Sequence, residues 1–313
     1  MKGISFYSII IFLIIPLSIS FAQDYPTELP WEKPKLEGKH FKVDGINNLP
    51  DLHGDIIDPQ LVVFFAGNQY MVVEELMDEF KKENPDVERI YFQTLPPGIE
   101  AEQYEKGALV IGNLRIETKP DILTAGHGRI AGYKNDKGWF NNIYDYARNR
   151  LAIMVYKDNP KNISSLNDLG KDDINVSMPN PDWEGIATPI QKAYVNEGGE
   201  DLKNRIMQDK KDNNTTFLTK MHHRQTPLRI IRKESDAGPV WYTETYYHAK
   251  MKNHPIAMVE IPDSVNEYVT YTAGVFKDAP HPDIAEKFIK FLTEGKGQEV
   301  YKKYGFLPPE KQN

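Results

Sequence analysis

The chain has no cysteine among its 313 residues. That excludes disulfides, thiolate metal sites and a lipid carried on cysteine, and leaves core burial to hold the fold together. Past residue 22 no stretch approaches the roughly 20 apolar residues needed to cross a bilayer. Basic residues are outnumbered, 38 Lys and Arg against 45 Asp and Glu, and no basic block adjoins an aromatic ladder, so nucleic-acid binding is not expected. Catalytic signatures are missing too: there is no G-x-S-x-G elbow, P-loop, H-E-x-x-H pair or dinucleotide fingerprint. The expectation is a protein that is not an enzyme and needs no cofactor.

Residues 1–22 combine Lys2, an apolar run at 9–17 and the small-residue exit Ser20-Phe21-Ala22, the pattern of a secretory signal peptide cleaved after Ala22. Pro16 and the short run argue against a membrane anchor. With neither anchor nor lipid, the predicted location is the periplasm of a Gram-negative bacterium. Residues 23–58 are rich in Pro and charge without a period, which predicts an irregular arm with His40 and His53 on its surface.

Regular patterning begins at residues 61–66, LVVFFA, apolar at every position as in a buried parallel strand. A turn at 67–69 leads to a helix over 70–83, stopped by Asn84-Pro85. Further strands are expected at 87–92, 120–125, 151–156, 174–178, 237–241, 256–260 and 268–276. Helices are expected at 99–107, 165–169, 189–195, 282–294 and 297–304, with a charged helix and loop over 197–214. Strands alternating with helices imply right-handed crossovers and a mainly parallel sheet covered on both faces.

Four segments carry a family resemblance: LVVFFAGNQYMVVEELMDEF at 61–80, NRLAIMVYKDNPKNISSLNDL at 149–169, SDAGPVWYTE at 235–244, and the terminal strand and helices of 272–304. In this order they resemble the type II periplasmic solute-binding proteins of ABC importers, and among them the molybdate/tungstate or oxyanion branch. The resemblance implies an α/β fold of two doubly wound lobes joined by a two-strand hinge. Lobe 1 would combine residues 59–150 and 272–313, and lobe 2 residues 151–271. It also implies a monomeric receptor that closes on a small inorganic ligand and presents it to an ABC permease in the inner membrane.

Ligands of open α/β sheets gather at the carboxyl ends of strands, where helix N-termini offer backbone N–H groups. The candidates are therefore Gly67, Asn68 and Gln69 after the first strand, Thr94 after the second, and Thr124, Ala125 and Gly126 after the third. Residues 181–188 replace the loop that carries Gly and Tyr in the family. Gly185 and Ile186 offer amides there, whereas Asp182 and Glu184 would repel an anion if they faced it. Tyr242 matches the position of a ligand-contacting tyrosine in molybdate-binding relatives.

Met221-His222-His223-Arg224-Gln225 places three cationic or imidazole groups in a row. Arg224 and the histidines would complement an oxyanion. In an alternative reading, His127, His222 and His223 with Glu184, Tyr242 or Glu244 hold a transition metal, and the protein is an iron-like metal-ion receptor. A third reading is a non-transport periplasmic scaffold that docks through the arm. Tyr246-Tyr247-His248 is expected to pack on lobe 2.

Overall fold

The computed structural model of the protein describes residues 51–111, 114–182 and 184–310. The leader at 1–22 and residues 23–50 of the arm lie outside them.

Folding is organised by strands that bury both faces. β2 (Leu61–Phe64) is buried throughout. Its alternation sends Leu61 and Val63 into one core and Val62 and Phe64 into another on the opposite side of the sheet. α1 (Val73–Glu83) covers the first core with Val73, Leu76, Met77 and Phe80 at helical spacing. α8 (Pro282–Thr293) and α9 (Gly295–Lys303) add Phe288, Leu292 and Tyr301 to the same core. The second core is closed by α2 (Pro97–Lys106), the hairpin of β4 (Leu109–Ile111) and β5 (Leu114–Ile116), and α3 (His127–Lys137).

The strand order is β1 (Leu52–Gly54), β3 (Ile90–Gln93), β2, β6 (Ile122–Gly126), β12 (Tyr268–Phe276), β7 (Phe140–Tyr156), β10 (Ala237–Trp241), β8 (Val176–Met178), β9 (Thr216–Leu218). β11 (Ile256–Glu260) also pairs with β7. β2 is parallel to β3 and β6, but β12 is antiparallel to β6 and β7 because it re-enters the sheet from the second half of the chain. The sheet is therefore mixed, not mainly parallel. β1 lies antiparallel on β3, so the end of the arm is an edge strand and not irregular.

β7 joins the two lobes. Its first part, through Arg150, pairs with β12, and its last part, from Leu151, pairs with β10 and β11. That last part again buries both faces, Leu151, Ile153 and Val155 against α4 (Ala187–Asn204) and Met154 against α6 (Gln225–Ile231). Asn266 ties the crossing points together: its side chain accepts from the Leu151 N–H at 2.9 Å and donates to the Leu151 carbonyl at 3.0 Å. Between Tyr271↔Ala147 and Thr272↔Asp145 the register slips, leaving Tyr146 as a bulge next to the lobe junction. Past α4 a π-helical turn at Arg205–Asp209 and α5 (Lys210–Asp212) lead into β9. α7 (Tyr242–Tyr246) then carries the chain toward lobe 1, where Tyr247 joins the α1 core instead of packing on lobe 2. The protein is an α/β chain of two lobes, with a cleft at their junction.

Candidate functional site

The cleft has a volume of about 1300 Å³. Lobe 1 builds its wall from three chain reversals at the carboxyl ends of β2, β3 and β6: Ala66 to Asn68, Pro96 to Ile99, and Gly126 to Arg129. Lobe 2 contributes the start of α4, with Gly185, Ile186 and Thr188, and the loop from Thr219 to His223 after β9. Trp241 and Tyr268 to Tyr271 close the hinge side.

Three helix N-termini open onto this space. Pro96 is the N-cap of α2, Gly126 of α3 and Ile186 of α4, and each lines the cleft together with residues of the following turn. The first N–H groups of a helix have no partner within it and carry the positive end of its dipole. Arg129 and Lys220 add cationic side chains, while Glu102 and Asp182 are the acidic residues of the rim.

The expected site residues divide by position. Gly67, Asn68, Gly126, Gly185, Ile186, His127, His222 and His223 line the cleft. Asn68 donates through Nδ2 to the Tyr271 hydroxyl, which fixes two wall residues against each other. Gln69, Thr94, Thr124 and Ala125 lie behind the wall. Gln69 is buried between the Tyr146 hydroxyl, to which it donates at 2.5 Å, and the Tyr301 hydroxyl, from which it accepts at 2.6 Å. Thr94 donates to Asp51 Oδ1 at 2.7 Å. Thr124 Oγ1 accepts the Ala66 N–H at 3.0 Å, pinning two of the reversals together. Their polar groups are spent on shaping the wall.

Tyr242 is turned away from the cleft, stacked on Tyr246 with the Arg150 guanidinium 4.4 Å from its ring centre. Its neighbour Trp241 faces the cleft instead. The last residue of β10 points in and the first of α7 points out, an alternation that the family match at that position did not follow.

Arg224 is also off the cleft. Its guanidinium bonds Asp51 Oδ1 at 2.5 Å and lies 4.3 Å from the Tyr70 ring centre, with both charged side chains almost wholly buried. Asp51 belongs to the arm on lobe 1 and Arg224 to lobe 2, so this ion pair bridges the lobes. Alongside it the His222 ring rests on Gly67: a Cβ at residue 67 would stand 2.1 Å from His222 Cε1 and 3.0 Å from the Thr94 carbonyl oxygen. The pattern of residues alone did not single out Asp51, Trp241, Lys220 or the Pro96–Pro97 turn. Of these, the turn had a readable signal, two prolines between a strand and a helix.

The lobe-2 wall holds a buried ionisable cluster. Glu184 accepts from the Thr219 hydroxyl and from the His223 N–H, the latter at 3.2 Å. His223 adopts a positive φ of 54° and sets its Nδ1 2.7 Å from Glu244 Oε1 and 4.0 Å from Glu184 Oε2. Burial pushes the Glu184 carboxyl up, against the pull of His223. Burial also opposes charge on His223, but the Glu244 and Glu184 carboxylates together outweigh it and the ring is raised. His222 is held well below the usual range by burial, with His223 and Arg224 adding to the effect. Ligand atoms of Glu184, His222 and His223 all lie within 4.8 Å of one another. Of the metal set drawn from sequence, His127 and Tyr242 stand apart from this group. His127 is half exposed on lobe 1 and bonds Asp145 at 2.9 Å.

Comparison with known proteins places this architecture. Residues 61–307 match the family described as bacterial extracellular solute-binding protein. The molybdate-binding protein ModA of Mycobacterium tuberculosis is 24% identical over 254 residues, covering 80% of this chain and 85% of that protein. Among solved structures, the periplasmic molybdate-binding protein of Azotobacter vinelandii superposes with a TM-score of 0.63 at 15% identity, covering 80% of this chain and 100% of the other. The sulfate-binding protein SubI of Mycobacterium tuberculosis gives 0.65 at 16% identity, covering 79% and 86%. At these identities the structural likeness speaks for the fold alone, and the match over residues 61–307 shows that the chain belongs to the bacterial extracellular solute-binding protein family.

Proposed function

We propose that this protein is the periplasmic receptor of an ABC importer and captures a small oxyanion of the molybdate or tungstate kind in the interlobe cleft. The observation that carries the reading is the convergence of the N-termini of α2, α3 and α4 on one space. Such ends bind anions through backbone N–H groups and need no basic pocket. A relative named for molybdate binding supports the same class of solute.

In this reading lobe 1, residues 59–150 and 272–313, and lobe 2, residues 151–271, move as rigid bodies about β7 and β12. The buried Asp51–Arg224 pair and the seat of His222 on Gly67 are contacts of the closed form. A permease then reads the closed shape, and no bond of the solute is made or broken.

The test is a thermal melt of the mature protein with molybdate, tungstate and sulfate. A ligand at 100 times its Kd stabilises the folded state by about 2.7 kcal/mol, which moves the melting temperature by several degrees. At least one of these oxyanions is expected to do so. No shift with any of them at millimolar concentration overturns the reading.

A further inference from the structure

We propose that Glu184, His222 and His223 form a site for a transition-metal dication in the lobe-2 wall of the cleft, separate from the helix N-termini that serve the anion. The site goes beyond the anion reading and does not depend on it.

The donor set is two imidazoles and one carboxylate, with all ligand atoms within 4.8 Å of one another. Bonds of about 2.1 Å at tetrahedral angles require separations of about 3.4 Å, so side-chain rotations that draw the atoms in by little more than an ångström close the site. Two histidines and a glutamate are a ligand set that zinc accepts while keeping one position open. Both histidines line the cleft, so an ion has a route in.

The neighbours of the cluster are arranged as supports for such ligands. Glu244 Oε1 lies 2.7 Å from His223 Nδ1 and holds the ring in place, as carboxylates commonly do behind metal-ligating histidines. Thr219 and the His223 N–H hold the Glu184 carboxylate. The positive φ of His223 orients adjacent histidines so that their rings meet at 4.0 Å between centroids. A non-glycine residue in that backbone region carries strain that surrounding contacts must offset.

Charge points the same way. Two buried carboxylates, Glu184 and Glu244, face two imidazoles, and the neighbouring Arg224 guanidinium is engaged by Asp51. A dication balances this group, and imidazole nitrogen favours zinc, nickel, copper or iron over magnesium or calcium.

The experiment uses the mature protein treated with EDTA and then dialysed free of it. Zn2+ is titrated calorimetrically, and Co2+ is followed by its visible absorption. One equivalent of each is expected, with a Co2+ band typical of a low-coordinate nitrogen and oxygen site. His223→Ala and Glu184→Gln should abolish both signals, Glu244→Gln should weaken Zn2+ by about 10- to 100-fold, and His127→Ala, a cleft histidine outside the cluster, should leave them unchanged. Circular dichroism checks that each variant folds. If His223→Ala does not fold, Glu244→Gln and Glu184→Gln decide. Absence of a stoichiometric Zn2+ site in the wild type, or its persistence in Glu184→Gln and Glu244→Gln, overturns the proposal. Molybdate titration of the same metal-free protein reports on the anion reading separately.

Discussion

The two walls of the cleft are built on opposite principles. Lobe 1 presents small residues and helix starts, with the side chains of Gln69, Thr94 and Thr124 consumed behind the surface in bonds that fix the loops. Lobe 2 presents Gly185 and Ile186 beside a group of buried ionisable side chains, Glu184, His222, His223 and Glu244. A backbone wall recognises an anion at little cost in side-chain ordering. A wall with carboxylates in it must neutralise them first, by protons, imidazoles or a bound cation. Contacts between the two sides include Asp51 with Arg224 and Gly67 with His222.

The largest expected effect comes from separating them at the ion pair. Arg224→Ala leaves Asp51 buried without its cation and should cost about 3–5 kcal/mol in urea denaturation, as removal of one partner of a buried pair does. The double variant with Asp51→Ala should cost less than the sum of the single changes. Additive losses would show that the bridge between the lobes is not a coupled unit.

The second contact is a matter of volume. Gly67→Ala drives a Cβ to within 2.1 Å of His222 Cε1 and should cost about 1–3 kcal/mol; if this contact belongs to the closed form as proposed, the loss is expected as weaker solute binding. Unchanged affinity would place His222 elsewhere when solute is bound.

Lobe 1 buries carboxyls as well, and burial holds one of them, Glu100 in the first turn of α2, well above the usual range. The folded protein therefore binds this proton more tightly than the unfolded chain. The resulting stability is complete below the unfolded pKa, about 4.3, and is lost as the pH rises through the folded value. Glu100→Gln should match the wild type near pH 4 and melt at a higher temperature at pH 8. The opposite order would mean that Glu100 is charged and its partners stabilise that charge.

The sequence made the scaffold legible wherever strands are apolar at every position. β2, β10 and the last part of β7 announce themselves because both of their faces are buried. The first part of β7 does not, since Asn141, Asn142, Asp145 and Arg148 interrupt the run along the stretch that pairs with β12. α3 is equally hidden: Ile130 is its one buried residue, so no apolar stripe marks it. At the cleft, the glycine turns after β2 and β6 were readable from strand–turn–helix order. The Asp51–Arg224 bridge was not, because it joins residues 173 apart through a segment without a period. At the end of β10 it is Trp241 and not Tyr242 that faces the cleft, since position in a motif does not say which side of a strand end faces inward.

The most direct test of anion capture by helix N-termini is a single substitution at the start of α3. Gly128 lines the cleft and a Cβ there meets nothing within 4 Å, so Gly128→Asp fits the fold, and an acidic residue in a first turn favours the helix. Calorimetric titration with molybdate should show the variant binding at least about 10-fold more weakly than the wild type, a loss of about 1.4 kcal/mol, with a melting temperature as high or higher. Undiminished molybdate affinity in a folded Gly128→Asp protein would contradict the account.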